Sequence, residues 1–417
     1  MGQGAQPKGC PSPHACPVTA DRPRVVFLGH SAQPSGAELG LLRLTRAMTR
    51  YEPVVVLAEQ GPLVDDLRTS GVRCEVAELA TAVTSVRHAE IKPGRQLISA
   101  GRQVVRYSDE LRRLLRALAP DIVDTFTLKA HVYGRLALRG LSVPRVAHVH
   151  DRLSTQYMRR ASIALLRPIL GRCDGLVFNS TSTRDTVPSL RRGQVRATVG
   201  SAVDRPLQTA RESPAGPAFA FGCIGRITPW KGQRQALRAF AEVCDTHRER
   251  DLRLILVGGA FFGEEDYLAD LQTLAADLGV TDRTEWTGHV SDVYSQLDRM
   301  DALVHCSTIP EPFGQVVVEG MAFGIPVIAP DEGGPADLIT DGATGIFYTP
   351  RDAQALAGAM ARAITLPAEQ RRAMTTAART VAEQFFAGAV AEQIEAFYDE
   401  VRKRSGLLRS PRFGPGE

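Results

Sequence analysis

The chain has 417 residues, of which 44% are hydrophobic and 23% charged, a balance typical of soluble globular proteins. This length favours two or three domains, and the lack of any run of eighteen or more apolar residues excludes a membrane-spanning helix. Residues 1–205 carry 30 Lys and Arg against 17 Asp and Glu, whereas the remainder carries 20 against 29. Either the two halves face different partners, or the surface is simply rich in arginine.

The first 22 residues are expected to form a disordered tail. They are rich in Gly, Pro and small residues and lack the apolar stretch of a signal peptide. Two of the seven cysteines lie in this segment, and the other five are scattered without CxxC spacing. This pattern argues against a disulfide framework or a zinc site, so we expect a protein of the reducing cytoplasm.

Short apolar, β-branched segments alternate with longer segments of helical periodicity. The first half predicts strands at residues 24–29, 53–58, 74–79, 121–126, 145–150, 175–179 and 195–199. The second half predicts strands at residues 219–225, 252–258, 284–288, 302–306, 326–329 and 345–348. These segments do not alternate strictly between apolar and polar residues, which indicates parallel sheets covered by helices on both faces. We therefore expect an α/β protein with two doubly wound, Rossmann-like domains.

Composition suggests where the two domains meet. Residues 206–217 are rich in Pro, Gly and polar side chains and predict a linker between domains at 23–205 and 218–385. Residues 386–406 predict a helix that packs back on the N-terminal domain, and residues 407–417 a polar tail. Ligands of such sheets bind beyond the carboxyl ends of the strands, so we expect the active site in the cleft between the domains.

The clearest candidate site follows the predicted strand at 302–306. Glu311 and Glu319 are eight residues apart and would lie near one face of a helix, which Pro312 is suited to begin. Backbone N–H groups at the start of that helix would attract phosphate and hydroxyl oxygens. They belong to Phe313, Gly314 and Gln315. The alternative is that Glu319 is an ordinary surface residue and Glu311 a loop carboxylate.

A second candidate site is the turn after the predicted strand at 219–225. It contains Arg226 and Lys231 between glycines, and lysine is rare here, with five in the whole chain. Two cations in a strand-to-helix turn suit a diphosphate. The turn is not a Walker A loop, because the Gly-Lys-Ser/Thr order is absent. A solvated turn without a ligand is the alternative.

Two further features lie in the first half. The loop at residues 29–38 includes Gly36, which would let the backbone approach a ligand closely. It lacks the GxGxxG spacing of dinucleotide sites, so a nicotinamide cofactor is not expected. His150 ends the predicted strand at 145–150, where it would face the cleft. A purely structural histidine is the alternative.

Together these motifs resemble family four of the glycosyltransferases, which has the GT-B fold. The similarity runs from about Arg24 to Tyr398 and combines four motifs in the family's order. The matching residues are Glu311, Phe313, Gly314 and Glu319 for the Glu-x7-Glu motif, Gly225, Arg226, Lys231 and Gly232 for the Gly-Arg…Lys-Gly motif, residues 287–290 for the nucleobase-contacting loop, and His150 for the first-domain histidine.

Two positions depart from the family pattern. The first-domain loop usually carries a Gly-Gly pair, and this chain has Ser35 and Gly36. The family's Gly-Gly-x-x-Glu pattern ends here in the shorter Asp337, which is a mild change. Ser35 leaves open how the first domain meets the diphosphate.

The resemblance implies a role for each matching residue. Arg226 and Lys231 would neutralise the diphosphate leaving group. Glu319 would accept hydrogen bonds from the ribose hydroxyls, and Glu311 would hold the donor sugar. His150 would lie near that sugar from the opposite domain and steady the oxocarbenium-like transition state. The remaining donor-contacting positions are Gly36, Val290, Phe313, Gly314 and Gln315.

The resemblance also implies the type of reaction. The sugar would be transferred with retention of anomeric configuration, without a metal or a cofactor, and the nucleotide sugar would be the substrate. UDP-hexose is the first expectation and GDP-mannose the second, and no nucleic acid is expected as a partner. A nucleotide-sugar 2-epimerase, a glucan phosphorylase and a non-catalytic GT-B scaffold remain alternatives. A phosphorylase would need a lysine for pyridoxal phosphate. In the second half of this chain the candidates are Lys231 and Lys403.

The acceptor stays unnamed, and residues 157–172 bear on it. They mix apolar and cationic side chains at nearly helical spacing. The arginines are Arg159, Arg160, Arg167 and Arg172, and the apolar residues are Ile163, Leu165, Leu166, Ile169 and Leu170. A basic amphipathic helix can lie on an anionic membrane. This interpretation favours an anionic or lipid-linked acceptor and a peripheral membrane contact through the first domain, and a natural-product acceptor is a further possibility. A helix packed on the sheet is the alternative.

Overall fold

The computed structural model describes residues 22–78, 95–189, 191–210, 218–261 and 263–406, with backbone only for 95–101. Residues 1–21 of the predicted N-terminal tail at 1–22 lie outside these ranges, as does the predicted tail at 407–417. Residues 211–217 of the predicted linker and Leu79 of the third predicted strand also lie outside them.

Parallel strands form the sheet of the first domain. They are β1 (Arg24–Leu28), β2 (Glu52–Leu57), β3 (Arg73–Val76), β4 (Ile122–Thr125), β5 (Arg145–Val149), β6 (Gly175–Phe178) and β7 (Val195–Thr198). Their spatial order is β3-β2-β1-β4-β5-β6-β7, so the winding direction reverses between β1 and β4. The carboxyl ends at such a reversal leave a crevice that can receive a ligand.

The second domain repeats this plan with a second parallel sheet. Its strands are β8 (Ala218–Ile224), β9 (Asp251–Val257), β10 (Thr284–Gly288), β11 (Ala302–Val304), β12 (Val327–Pro330) and β13 (Ile346–Tyr348). Their order is β10-β9-β8-β11-β12-β13, and the reversal falls between β8 and β11. The segments that follow these two central strands therefore meet at the carboxyl edge of the sheet.

Helices connect the strands in both domains. In the first they are α1 (Gly36–Ala47), α2 (Pro62–Thr69), α3 (Arg95–Leu118), α4 (Leu128–Ala137), α5 (Arg160–Leu170) and α6 (Thr181–Arg184). Next come α7 (Gln233–Thr246), α8 (Glu265–Asp277), α9 (Val293–Leu297), α10 (Gln315–Phe323), α11 (Pro335–Leu338), α12 (Ala353–Thr365), α13 (Ala368–Glu383) and α14 (Ala387–Arg404). Two short 3-10 turns span Pro229–Lys231 and Thr281–Arg283.

Burial on both faces explains the apolar strands. In β1, Val25 and Phe27 lie in one apolar cluster, whereas Val26 and Leu28 lie in another on the opposite face of the sheet. Helices cover each face, so every position of such a strand favours an apolar residue.

The last helix, α14, packs on the first sheet although the preceding helix belongs to the second domain. Ile394, Phe397 and Tyr398 are buried in the same cluster as Val25. The Tyr398 hydroxyl donates to the Asp124 carboxylate at 2.6 Å. Each fully buried apolar side chain stabilises the fold by about 1.5–3 kcal/mol relative to an exposed one. Because α14 continues from the second domain, its packing on the first sheet holds the two domains together.

Each of the thirteen predicted strands is present, with its ends displaced by at most three residues. The two parallel sheets, with helices on both faces, confirm the predicted fold class. No helix of the described ranges combines the length and the apolarity needed to cross a bilayer.

Candidate active site

The carboxyl ends of β8 and β11 bring the two strongest motifs together. Lys231 lies in the 3-10 turn after β8, and Glu311 lies in the loop after β11. The Lys231 Nζ atom is 2.8 Å from Glu311 Oε2, and the two side chains are 17% and 14% exposed. Ser307 donates its hydroxyl to the same carboxylate oxygen at 2.9 Å. The two motifs, 80 residues apart in sequence, therefore form one ion pair.

Electrostatics keep this carboxylate ionised. Burial alone would raise the pKa of Glu311, but the charge and the hydrogen bond of Lys231, together with His305 and Ser307, outweigh it and lower that pKa. His305 Nε2 is 3.8 Å from the same oxygen. Burial lowers the pKa of His305 to about 4, so this histidine is neutral at pH 7.

The Glu311 loop leads into the N-terminus of α10. Gly314 takes φ +91 before the first helical residue, a conformation that suits glycine. Gly334 lies against this loop, because an added Cβ would come within 2.2 Å of the Phe313 carbonyl oxygen. The Phe313 ring is buried against Phe385, with 5.4 Å between the centroids. The Phe313 ring is therefore packed inside the protein, which leaves only its backbone available to a ligand.

Glu319 lies one turn further along α10 and is 4% exposed. Gln315 donates its amide to Glu319 Oε1 at 3.0 Å, and Arg43 Nη2 of the first domain is 3.5 Å from the same oxygen. Burial raises the pKa of Glu319, and the charge of Arg43 opposes that shift. Glu319 is therefore not the ordinary surface residue of the alternative interpretation.

The first domain faces α10 through its own first loop. A Cβ added to Gly36 would lie 3.4 Å from the Gln315 amide oxygen, so the two domains nearly touch here. Ser35, which replaces the family's first glycine, donates its hydroxyl to the buried Glu38 carboxylate. Burial raises the pKa of Glu38 above its ordinary value, although the hydrogen bond from Ser35 and the charge of Arg226 oppose that shift.

Arg226 and Lys231 flank one indole ring. The Arg226 guanidinium carbon lies 6.0 Å from the centre of Trp230, and Lys231 Nζ lies 4.4 Å from it. Arg226 is exposed, and its charge acts on Glu38 of the opposite domain. Arg226 is therefore at the cleft with its guanidinium accessible.

His150 lies just past β5 on the first-domain side. Its ring packs on Phe126, with 4.4 Å between the centroids, and burial lowers its pKa well below the ordinary range. Its Nε2 atom is buried without a partner among the residues that the structure describes. The His150 carbonyl accepts a hydrogen bond from Asn179 at 3.0 Å, and the neighbouring Ser180 donates to the Pro312 carbonyl. This chain of contacts ties His150 to the loop of Glu311.

Comparison with known proteins identifies the family. Glycosyltransferase Family 4 matches residues 34–198, and Glycosyl transferases group 1 matches residues 205–381. A GDP-mannose-dependent alpha-mannosyltransferase of Mycolicibacterium smegmatis is 30% identical over 313 residues, which are 70% of this chain and 77% of that protein. The chain belongs to glycosyltransferase family four.

Two other relatives place the chain within the family. A D-inositol 3-phosphate glycosyltransferase of Acidothermus cellulolyticus is 28% identical over 58% of this chain, and the alignment spans 59% of that relative, less than two thirds of it. HepE of Anabaena, solved in complex with UDP and glucose, has a TM-score of 0.75 at 26% identity, covering 90% of this chain and 99% of HepE. The fold neighbours agree with the GT-B assignment.

Val290, in the family's nucleobase-contacting loop, lies away from the ion pair. It follows β10, two strands along the sheet from β8, and packs against the apolar cluster that contains Phe313 and Val317. The structure thus spreads the family positions of the second domain along the carboxyl edge of one sheet.

Sequence reasoning missed several ionisable residues that meet at this family site. Arg43 joins the domains, because it lies 2.7 Å from Asp204 as well as 3.5 Å from Glu319. Glu38 and His305 are buried beside the predicted residues. The sequence offered one signal for two of these residues: Glu38 ends the loop at residues 29–38 that was singled out, and Arg43 follows it on α1.

The segment at residues 157–172, predicted as a basic amphipathic helix, forms a shorter helix whose apolar side is mostly buried. The helix covers only Arg160–Leu170, and Ile163, Leu166 and Leu170 are buried in a cluster with strand residues of the first sheet. Leu165 is 53% exposed. Most of the apolar face therefore packs inside the protein, as in the alternative interpretation.

Proposed function

We propose that this protein is a retaining glycosyltransferase that moves a hexose from a nucleoside diphosphate to a hydroxyl group of an acceptor. The observation that carries the proposal is the Lys231–Glu311 pair, 2.8 Å apart at the carboxyl edge of the second sheet. It lies at the N-terminus of α10, and Gly36 of the first domain faces that helix.

The leaving group is the diphosphate, and two kinds of donor would stabilise it. Arg226 is exposed at the cleft, and Lys231 is already fixed in position by Glu311. The first N–H groups of α10 have no partner within the helix and carry partial positive charge. Negative charge that develops on the diphosphate oxygens as the bond to the sugar breaks is stabilised by such preorganised groups.

Glu311 suits a role in holding the donor sugar. Lys231 and Ser307 both contact its Oε2 atom. The carboxylate is therefore fixed through one oxygen, and its Oε1 atom can accept a hydrogen bond from a sugar hydroxyl. Charge-assisted hydrogen bonds of this kind are short and directional, so they would also orient the ring.

His150 acts as a neutral group. Because its pKa is far below 7, its ring would not repel the positive charge that develops on an oxocarbenium-like sugar. Its unpartnered Nε2 atom can make one hydrogen bond to the sugar. Glu319, held by Gln315 and Arg43, would accept hydrogen bonds from the ribose.

Donor identity rests on the relatives. HepE was solved with UDP and glucose, which supports a UDP-hexose as the first candidate. The mycobacterial relative named for GDP-mannose supports GDP-mannose as the second. Retention of configuration and independence of metals are inferred from the family.

A thermal-shift screen of nucleotide sugars tests the proposal. A ligand at 100 times its Kd stabilises a folded protein by about 2.7 kcal/mol, which gives a readily measured rise in Tm. We expect UDP-glucose or GDP-mannose to raise the Tm and the free hexose to leave it unchanged. The proposal fails when no nucleotide sugar raises the Tm and none is turned over.

A further inference from the structure

A pocket of about 540 Å³ lies at the edge of the first sheet that is opposite the cleft. The segments that lead into β5, β6 and β7 form one wall, and the last turn of α14 forms the other. Because these strands are parallel, their amino ends share one edge of the sheet. His150 lies at the other edge, five residues after Arg145, which is ~16 Å along an extended strand. A molecule in this pocket would therefore not contact the reacting groups.

Arginine side chains from separate segments of the chain line this pocket. They are Arg145, Arg172, Arg191 and Arg404. Arg145 is half-buried, and the other three are exposed. A guanidinium group binds phosphate oxygens through pairs of parallel hydrogen bonds. Four such groups around one cavity therefore indicate an anionic ligand.

Two more arginines, Arg135 and Arg139, extend this group into an arginine cluster of six. Burial lowers the pKa of the Arg135 guanidinium, and the charges of three neighbouring arginines add to that shift. These neighbours are Arg145, Arg172 and Arg139. Like charges that lower a pKa in this way repel one another. An anion bound among them would relieve the repulsion.

Two carboxylates lie beside the arginine cluster, and both are already bonded. Asp174 Oδ2 accepts the backbone N–H of Arg145 at 3.0 Å, and Asp174 Oδ1 lies 3.3 Å from Arg191 Nη2. Glu400 Oε1 lies 2.6 Å from Arg404 Nε. Six arginines against these two carboxylates leave an excess of positive charge, so the pocket favours an anion over a cation or a neutral molecule.

The arginines are held in place and still have donors to offer. Arg145 Nη2 donates to the Leu138 carbonyl at 2.9 Å, and Arg172 Nη1 donates to the Pro168 carbonyl at 2.9 Å. A guanidinium carries five N–H donors, so each of these two groups keeps several for a ligand. Because the bonds to the backbone already restrain the side chains, less ordering is needed when a ligand binds.

The surroundings of the pocket favour a small soluble anion over a bilayer. Interfacial membrane binding combines basic residues with exposed apolar ones. The exposed large apolar side chains of the described residues are Val105, Leu165, Leu207 and Phe261, and none of them lines this pocket. The pocket is also a concavity, and its volume lies within the range of small-molecule sites in proteins.

We propose that the pocket at the amino ends of β5, β6 and β7 binds a small, soluble anion that carries phosphate groups. Arg145, Arg172 and Arg191 hold the phosphate oxygens, and Arg404 adds its charge from α14. The bound anion ties the end of α14 to the first sheet. The site is separate from the cleft of the proposed function, and it accounts for part of the arginine excess in the first half of the chain.

Calorimetric titration with inorganic diphosphate tests the proposal. The titration is made in saturating UDP, which fills the cleft, so that the remaining heat reports a second site. We expect saturable binding of one diphosphate per chain. We also expect diphosphate to raise the Tm under these conditions, because it binds the folded protein.

A double variant, Arg172→Gln with Arg191→Gln, locates the site. We expect it to raise the Kd of diphosphate about tenfold or more, since hydrogen bonds to charged groups are the stronger ones. The Kd of UDP should stay unchanged. The matched control is Arg106→Gln with Arg248→Gln, which removes the same charge from two exposed arginines that pair with Glu110 and Asp245. The control should bind diphosphate as the wild type does.

Sedimentation with phosphatidylglycerol vesicles separates a soluble anion from a lipid headgroup. We expect the double variant and the control to bind the vesicles equally. Vesicle binding that is lost in the double variant alone, with no diphosphate bound by the wild type, would overturn the proposal in favour of a lipid. No saturable binding of diphosphate, or equal binding by the double variant and the control, would also overturn it. A protein that binds diphosphate at the arginine cluster but binds no UDP would contradict the proposed function and leave this site standing.

Discussion

The pairing of Lys231 with Glu311 makes a prediction that neither motif makes alone. We consider three variants, Lys231→Ala, Glu311→Ala and the double variant. Each single change is expected to lower turnover by roughly 10²-fold, the usual loss when one preorganised charge at a reacting centre is removed. In each single variant the remaining partner is a largely buried charge without its counterion.

The size of the coupling follows from the geometry. Independent residues would multiply their effects, so the double variant would lose about 10⁴-fold. Because the two side chains are 2.8 Å apart and fix each other, we expect the double variant to lose only about 10²- to 10³-fold. The difference of one to two decades corresponds to a coupling free energy of about 1.4–2.7 kcal/mol.

The free energy of unfolding depends on pH through Glu311, and the shift of its pKa gives the sign of that dependence. In the wild type the pKa of Glu311 lies below its ordinary value of 4.5, because Lys231, with His305 and Ser307, outweighs burial. Glu311 therefore adds stability that is complete above pH 4.5 and is lost as the pH falls through the lowered pKa. In Lys231→Ala burial dominates and the pKa of Glu311 rises. The stability gap between the two proteins should be largest at neutral pH and shrink in acid.

Initial rates of nucleoside diphosphate release, measured with saturating donor, give the coupling. Urea unfolding at pH 7.5 and pH 4.5 gives the stability gap. Lys403→Ala is a matched control, since Lys403 is exposed in the last turn of α14. A double variant slower by 10⁴-fold, or a stability gap that grows in acid, would refute the idea that the two residues act as one pair.

Other predictions follow from the same geometry. Arg226→Ala is expected to lower turnover roughly 10²-fold without lowering the Tm, because the side chain is exposed; wild-type turnover would remove Arg226 from the leaving-group site. Glu319→Ala should weaken the binding of UDP and UDP-sugar alike in calorimetry, whereas Glu311→Ala should spare UDP, and equal losses would mean that the roles are misassigned. Transfer is expected to survive EDTA, and a chelator-sensitive rate that Mg²⁺ restores would contradict the inferred independence of metals. Sedimentation with anionic vesicles should be weak and salt-sensitive, because α5 buries most of its apolar face; binding that persists in high salt would contradict this.

The sequence predicted the fold well for a simple physical reason. Strands covered on both faces favour apolar residues at every position, as β1 and β2 show, and such runs stand out between helical segments. The ends of the strands were harder to predict. The strand predicted at 302–306 stops at Val304, although the His305 N–H still donates to the Ile328 carbonyl of β12 at 2.8 Å.

The site could be predicted only in part. The two motifs predicted Lys231 and Glu311 as separate site residues. Nothing local in the sequence indicates that the two side chains pair after adjacent strands. The apolar stripe of α5 was ambiguous for a related reason: periodicity shows that a face is apolar, not whether protein or lipid covers it.

One measurement bears most directly on the proposed chemistry. Proton NMR can follow an α-linked nucleotide sugar, the donor selected by the thermal screen, while the protein transfers its sugar to the acceptor. We predict that the nucleoside diphosphate is released and that the new glycosidic bond is formed first in the α configuration. A β-linked first product would contradict retention, and a donor left intact by the folded wild-type protein with every acceptor, and with water, would contradict glycosyl transfer itself.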